Sequence, residues 1–402
     1  MFRVPIRESP TRVRILIPCV AAGLWLSASL LAGQPTQPVA DTPTPVAAAD
    51  LASGFQATLE LALDAQPAAP AAFDADTAYL PLKGERVAAI DLATGALRWT
   101  SDVATTWAPA VSDGIVVIAA DEWLGAFDAR TGRPRWRVPV AGAFSAPPEI
   151  NGGWVVAVAA GGDVYAIRAA DGAVIWTRSL ATAASERPTV TAAGVFVPLT
   201  DGRIVALSLD NGSSMWERPL GGKPGPMLVL DDRIFVGGHD KYFYSLRTKD
   251  GDVRWRQRVG GRPAGAPGVD RRHVYYVALD NILWAFDRNN GGRKWYTPLP
   301  MRPSGGPLTV GEAVLVAGVA AEVHAFRPDT GGASGTLKWP ADLAAPPQVV
   351  PSAIPALTSI AMVTRTGVFT LIARPIEPRP MTPPYPLGTA VPLSALGLPP
   401  AN

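Results

Sequence analysis

Asp91, Asp128 and Asp287 are the side chains that first invite a chemical reading. Three carboxylates brought together could move protons or hold a hard cation through oxygen ligands. Each, however, stands four residues before a glycine and eight before a tryptophan, so the three occupy one slot of a repeat. The same slot holds Arg168, Ser208 and Arg247 in other copies, which suits a tolerant surface position. An aspartate beside a tight turn caps it by accepting backbone N–H groups, and that is the reading the pattern favours. The three histidines, His239, His273 and His324, are too dispersed to suggest a ligand set. Cys19 is the sole cysteine, so the chain beyond it has no disulfide, thiolate metal site or cysteine nucleophile. No Ser/His/Asp set has a recognisable context. Gly221-Gly222 and Gly260-Gly261 lack the strand–glycine–helix unit of a phosphate cradle. No catalytic, cofactor-binding or metal-ligating residue is therefore expected, and no cofactor.

The elements around these residues are strongly periodic. Trp99, Trp136, Trp176, Trp216, Trp255, Trp295 and Trp339 are spaced by 37, 40, 40, 39, 40 and 44 residues. Four residues before each stands a glycine: Gly95, Gly132, Gly172, Gly212, Gly251, Gly291 and Gly335. Ten before the first six stands a small residue, namely Ala89, Ala126, Ala166, Ala206, Ser245 and Ala285. In the seventh copy four extra residues are read as a longer turn, with Ala325 in that place. A fixed period near 40 marks a repeat architecture.

Each copy has the same grammar. A proline (Pro70, Pro109, Pro148, Pro188, Pro226, Pro267, Pro307, Pro347) opens a short inner strand, where its missing N–H is not needed. A β-branched or aromatic strand follows, as in Gly114–Ala119, then a tight turn such as Asp201-Gly202 or Asp280-Asn281. An alternating third strand reaches the glycine turn, and a fourth carries the tryptophan. Four short strands per copy, joined by hairpins, predict a propeller blade. Eight opening prolines predict eight blades, although the eighth runs into Arg374-Pro375, where no ladder strand can continue. Phe55–Leu61 alternates apolar and polar residues and stands ahead of the first opening proline, so it can pair with Gly367–Ala373. The expected fold is thus all-β: an eight-bladed β-propeller of four-stranded antiparallel blades, closed by an N-terminal strand that completes the last blade. Such closure removes two open edges at once.

The chain has 402 residues, 48% hydrophobic and 17% charged, enough for a large core. Of its 36 basic and 34 acidic residues, four arginines and one glutamate lie in the first 33, which leaves 32 against 33. The basic balance belongs to that segment, and a nucleic-acid partner gains no support from it. Residues 1–33 read as an export signal: arginines precede the apolar run Ile15–Gly33. It is either removed or kept as an anchor, and any membrane contact runs through it. A lipid anchor on Cys19 fits poorly, since most of the apolar run follows the cysteine. Residues 34–53 form a Pro/Ala-rich linker, 54–374 the propeller and 375–402 a proline-rich tail, with export to the periplasm or envelope as the expected location.

The copies AIDLATGALRW and AFDARTGRPRW resemble the pyrroloquinoline-quinone-type (PQQ-type) propeller repeat, and the resemblance covers nearly all of residues 54–374. That family contains quinoprotein dehydrogenases and a non-enzymatic, BamB-like branch. The dehydrogenases carry a vicinal cysteine pair, a calcium-holding acidic and amide cluster and long loop insertions. This chain has neither the cysteines nor the insertions, so it looks like the second branch. The resemblance implies a monomeric ring acting as a non-catalytic envelope scaffold or binding protein. It would present loops to envelope protein partners such as the β-barrel assembly machine of the outer membrane. A PQQ-dependent dehydrogenase and a ligand-sensing propeller are the alternatives. Strand-four-to-strand-one loops and strand-two-to-three turns should share one face. Candidate partner-binding residues there are Trp107, Trp123, Arg187, Lys223, His239, Asp240, Lys241, Arg262, Asp280, Asn281 and Arg302. Trp107 and Trp123 stand out because they fall outside the repeat position. Arg254, Arg256 and Arg258 share a strand face, read as solvated or as facing an acidic partner surface.

Overall fold

Runs such as Ile115–Ala120 (IVVIAA) are apolar on both faces because a neighbouring sheet covers each side, and all six residues of that strand are buried. The computed structural model describes residues 55–338, 342–350 and 359–373. The expected signal, linker and tail, together with Cys19 and Trp339, lie outside the described residues.

The described strands form eight four-stranded antiparallel sheets arranged as the blades of a ring. Blade 1 comprises, from the innermost strand outward, Ala72–Phe73, Thr77–Leu82, Arg86–Asp91 and Leu97–Ser101. Blade 2 runs in the same order from Ala110–Ser112 to Pro134–Pro139, and blade 3 from Glu149–Asn151 to Val174–Ser179. Blade 4 runs from Thr189–Thr191 to Ser214–Pro219, blade 5 from Pro224–Leu230 to Val253–Arg258 and blade 6 from Gly268–Val269 to Arg293–Pro298. Blade 7 runs from Leu308–Val310 to Ala333–Lys338. Blade 8 takes Gln348–Val350, Ser359–Val363 and Val368–Ala373 from the end of the chain and Gln56–Ala62 from its beginning. The closing pairing runs from Gln56 opposite Ala373 to Ala62 opposite Val368, as the alternation of Phe55–Leu61 predicts. The opening prolines sit just ahead of the innermost strands except in blade 5. There Pro226 lies inside the strand, and the register slips between Pro224 and Met227.

The repeat residues meet as pairs. Ala89 faces Trp99 across the third and fourth strands of blade 1, and Ala126–Trp136, Ala166–Trp176, Ala206–Trp216, Ser245–Trp255 and Ala285–Trp295 repeat the arrangement. The small partner leaves the indole free to lie over the sheet and reach the next blade. Trp99 Nε1 donates to Ala129 O at 2.8 Å, and Trp136, Trp176, Trp216 and Trp295 make the same bond to Ala169, Leu209, Thr248 and Pro328. Trp255 Nε1 is buried without a partner among the described residues. Each indole also packs on the next blade's turn glycine. A Cβ on Gly132 would stand 2.6 Å from the Trp99 ring, at a φ of +69° that already favours glycine.

One repeat assignment is corrected by the register. Blade 7 has a turn of ordinary length: Gly331 N donates to Arg327 O at 2.9 Å, as Gly291 N does to Asp287 O in blade 6. Gly331 (φ +71°) is therefore the turn glycine, and the ladder from Glu322–Lys338 to Phe326–Ala333 brings Gly335 to the place Trp295 holds in blade 6. Trp339 and Gly335 are thus not the seventh tryptophan and its turn glycine. The physical reason is that blade 8 has no turn between its third and fourth strands, since these come from opposite ends of the chain. No glycine is there to receive an indole. On the other side of the seam, Leu59 takes the indole's role and packs on Gly95 of blade 1, where a Cβ would lie 2.9 Å from its Cδ1.

Candidate functional site

Loops that lead into the innermost strands lie beside the turns joining second and third strands, so one face of the ring carries both. Bridges between Phe144 and Ala159, Pro263 and Ala278, and Pro303 and Gly318 tie them together. Several expected residues on this face turn out to brace it. Asp240 accepts the N–H groups of Gly221 (3.1 Å) and Tyr242 (3.2 Å) and the Tyr244 hydroxyl. Lys241 and Asn281 adopt φ of +66° and +63°, the left-handed conformation their turns require. Asp280 has one carboxylate oxygen buried without a partner among the described residues. His239 is held below its ordinary pKa by burial and by Lys223 and Arg262, against the opposing pull of Asp240. The fold thus brings His239, Asp240, Lys223 and Arg262 into one electrostatic neighbourhood.

Trp107 and Trp123 are both half-buried. Trp107 packs on the core between blades 2 and 3, and its backbone N–H donates to Thr105 Oγ1 at 3.1 Å. Trp123 packs towards blade 1 and carries the Arg137 guanidinium 4.0 Å above its ring, beside Asp121 and Glu122. Arg256 over Tyr242, at 5.0 Å, repeats that pairing in blade 5. Arg254, Arg256 and Arg258 are exposed on the outermost strand there, with Trp255 buried on the opposite face.

Asp91, Asp128 and Asp287 stay on three separate blades. Each caps its own turn: Asp91 Oδ1 accepts Thr94 N at 2.8 Å, Asp128 Oδ1 accepts Thr131 N at 3.0 Å and Asp287 Oδ1 accepts Asn289 N at 3.0 Å. Pairing with Arg98 and Arg135, both at 2.6 Å, takes Asp91 and Asp128 down to about 2. His273 belongs to a bracing set with Asp270 (3.1 Å) and the Tyr275 hydroxyl (3.2 Å). Among the described residues no group of three or more His, Cys, Asp or Glu side chains is placed to hold a metal.

Two features were not singled out by sequence reasoning. The first is a groove of about 440 Å³ on the loop-bearing face across blades 6, 7 and 8. Leu279 and Val319, at turn tips, line it and are 38% and 52% exposed. Pro303, Leu343, Pro346, Arg302 and Arg365 also line it. The second is an open cavity of about 290 Å³ bordered by the innermost strands of blades 8, 1, 2 and 3 and the approach to that of blade 4. The surface it exposes is mostly polar, and Glu149 and Arg187 face each other there at 3.5 Å. Burial pushes the Glu149 carboxyl above its ordinary value, and Arg187 opposes the shift. Glu186, next in the loop, is raised by burial as well, with Lys223 opposing. The only sequence signal for Glu149 was its place immediately after the opening Pro148.

A family model described as outer membrane protein assembly factor BamB matches residues 83–228 and 220–369. No curated protein sequence matches the chain significantly. Among solved structures, BamB from Moraxella catarrhalis is 19% identical with a TM-score of 0.65, covering 79% of this chain and 99% of that one. The quinohemoprotein alcohol dehydrogenase of Comamonas testosteroni is 15% identical with a TM-score of 0.65, covering 80% of this chain and 77% of its own. Sqt1 of Saccharomyces cerevisiae reaches a TM-score of 0.68 at 9% identity, covering 79% of this chain and 99% of its own. At such identities the structural likenesses show the propeller fold alone.

Proposed function

Since the chain belongs to the family described as outer membrane protein assembly factor BamB, we propose that it is a non-catalytic scaffold of the cell envelope that docks protein partners on its loop-bearing face. The observation that carries this reading is the groove across blades 6, 7 and 8. Leu279 and Val319 are aliphatic side chains held out at turn tips, where the fold does not need them exposed. Exposed apolar side chains rimmed by charge mark interaction surfaces. Arg302 and Arg365 beside them favour a partner segment that is extended, apolar and flanked by acidic residues. The partner class suggested by the family is the machinery that assembles outer-membrane β-barrels.

A quinone-dependent dehydrogenase is the competing reading, because such enzymes share the fold. The channel of this chain fits that chemistry poorly. Its charged lining is one carboxylate and one guanidinium that face each other, and no cysteine follows Cys19 in the sequence. The lining offers one carboxylate, Glu149, already paired with Arg187, and one amide, Gln348, too few oxygen donors for the acidic and amide cluster that would hold calcium over a quinone.

The test is an affinity pull-down of the tagged protein from detergent-solubilised envelope, read by mass spectrometry. Recovery of barrel-assembly components is the expected result. Failure to recover any envelope protein would overturn the scaffold reading.

A further inference from the structure

One hydrogen bond recurs on the loop-bearing face. A residue at the tip of the turn between second and third strands donates its backbone N–H to a carbonyl of the loop that leads into the innermost strand. In blade 5 His239 N donates to Lys223 O at 2.9 Å, in blade 6 Leu279 N to Arg262 O at 2.8 Å and in blade 7 Val319 N to Arg302 O at 2.9 Å. Blades 3 and 4 make the same bond from Ala160 to Ala143 and from Thr200 to Ala183, where neither partner is charged. Three consecutive blades therefore set a cation in one equivalent place, and in two of them the turn tip beside it is aliphatic. Arg203, Arg218 and Arg247 are held in ion pairs elsewhere, whereas Lys223, Arg262 and Arg302 form none among the described residues. The carboxylates of the same turns are engaged: Asp240 braces Gly221, Tyr242 and Tyr244, and Asp280 has one oxygen buried. The row ends at Glu186, beside Lys223, and at Asp342, which takes the cation's place in blade 8.

The interval between these cations selects a partner. Stacked sheets lie about 10 Å apart, so equivalent side chains on successive blades recur at about that distance. A chain in the polyproline conformation rises about 3.1 Å per residue with three residues per turn, so every third side chain returns to one face after about 9 Å. The two periods agree. A carboxylate at every third residue meets Lys223, Arg262 and Arg302 in turn, and the residues between pass over the exposed tips Leu279 and Val319. A compact anion reaches one of the three cations at a time and gains nothing from the row. We propose that blades 5 to 7 bind an extended peptide that carries a carboxylate at every third residue with aliphatic residues between. Such a peptide is the segment that a docked partner supplies, so the proposal rests on the scaffold reading and adds the spacing of its acids.

The experiment is fluorescence anisotropy of three labelled peptides titrated with the full chain. One is three Glu-Val-Pro repeats, the second has the same residues with its glutamates adjacent, and the third is three Gln-Val-Pro repeats. The first is expected to bind at least fivefold more tightly than either of the others and to weaken as salt is raised. R262Q and R302Q should each weaken it about two- to fivefold, the effect of losing one exposed charge pair. The double variant R254Q/R256Q, on the outermost strand of blade 5, should leave it unchanged. All four arginines are exposed, so these variants keep the fold, and an unaltered melting temperature checks this. Equal affinity for the two glutamate peptides, or equal weakening by R254Q/R256Q, would overturn the inference. Recovery of envelope partners in the pull-down without the spacing preference sinks this inference alone. The spacing preference without such recovery removes the envelope setting and leaves the recognition standing.

Discussion

The indole of Trp99 in blade 1 lies against Gly132 in blade 2 and donates its N–H to Ala129 O, three residues earlier in the same turn. Each blade thus grips the next through one tryptophan and one glycine, and the grip repeats as far as Trp295 on Gly331 of blade 7. Trp99→Ala should cost about 3–5 kcal/mol, the range for removing a large buried aromatic. Gly132→Ala should also destabilise, because the new methyl meets the ring at a positive φ. Since both changes break one contact, the double variant should lose clearly less than the sum of the two. Denaturant unfolding of the four-protein cycle measures this, and simple additivity would refute the pairing.

Deleting Phe55–Leu61 should destabilise every blade, because blade 8 then exposes Val368–Ala373 as an open edge. Leu59→Ala alone should cost about 1–3 kcal/mol, less than a fully buried leucine because Leu59 is only half-buried. Deleting 380–402 should leave the melting temperature nearly unchanged. Equal and large losses from both deletions would count against closure by the two chain ends.

Leu279→Asp combined with Val319→Asp should abolish recovery of the envelope partner by at least tenfold while moving the melting temperature little, since both side chains already meet solvent. A parallel change on the outermost strand of blade 3, Val174→Asp, should leave recovery intact. Loss of recovery in both variants would point to a different docking surface.

Stability should fall as pH rises from about 4.5, the ordinary glutamate value. Glu149 and Glu186 have folded-state pKa values raised by burial. The stability they contribute is fully present below the unfolded value and is lost as pH climbs through the raised one. Asp91 and Asp128 act in the opposite direction: their contribution is present above the ordinary 3.8 and fades as pH falls towards about 2. Urea midpoints measured from pH 3 to pH 8 should fall less steeply above 4.5 in Glu149→Gln, with Glu186 left to titrate. An unchanged slope in that variant would show that Glu149 is not the titrating group.

Much of this architecture can be read from spacing. Ala285 and Trp295 are ten residues apart because one faces the other across a hairpin, and that relation needs no more than a strand period and a turn. Pairing of Phe55–Leu61 with Gly367–Ala373 follows from alternation and from a proline that forbids any other fourth strand. Trp339 misled because the register of blade 7 follows its ordinary turn at Arg327–Gly331, not the spacing of indoles along the chain. Glu149 was harder still, although its partner Arg187 was already a candidate loop residue. A charge after an opening proline reads as a solvated loop residue until the ring closes and turns that position inward. His239, Asp240 and Asn281 lie on the face that carries the loops and turns, yet only the hydrogen bonds reveal that Asp240 braces a turn.

Blade 8 also fixes an order in time. Thr58 and its partner Leu371 are 313 residues apart, so the first of the described strands is among the last to find its place. Until the end of the chain is available, Gln56–Ala62 has no ladder to join and blade 1 offers Gly95 to no neighbour. A contact of such long range is slow to form and leaves unpaired strand edges exposed in the interval. The last step of maturation is therefore a latch, and any factor that shields or delays this one strand would control when the finished ring first exists.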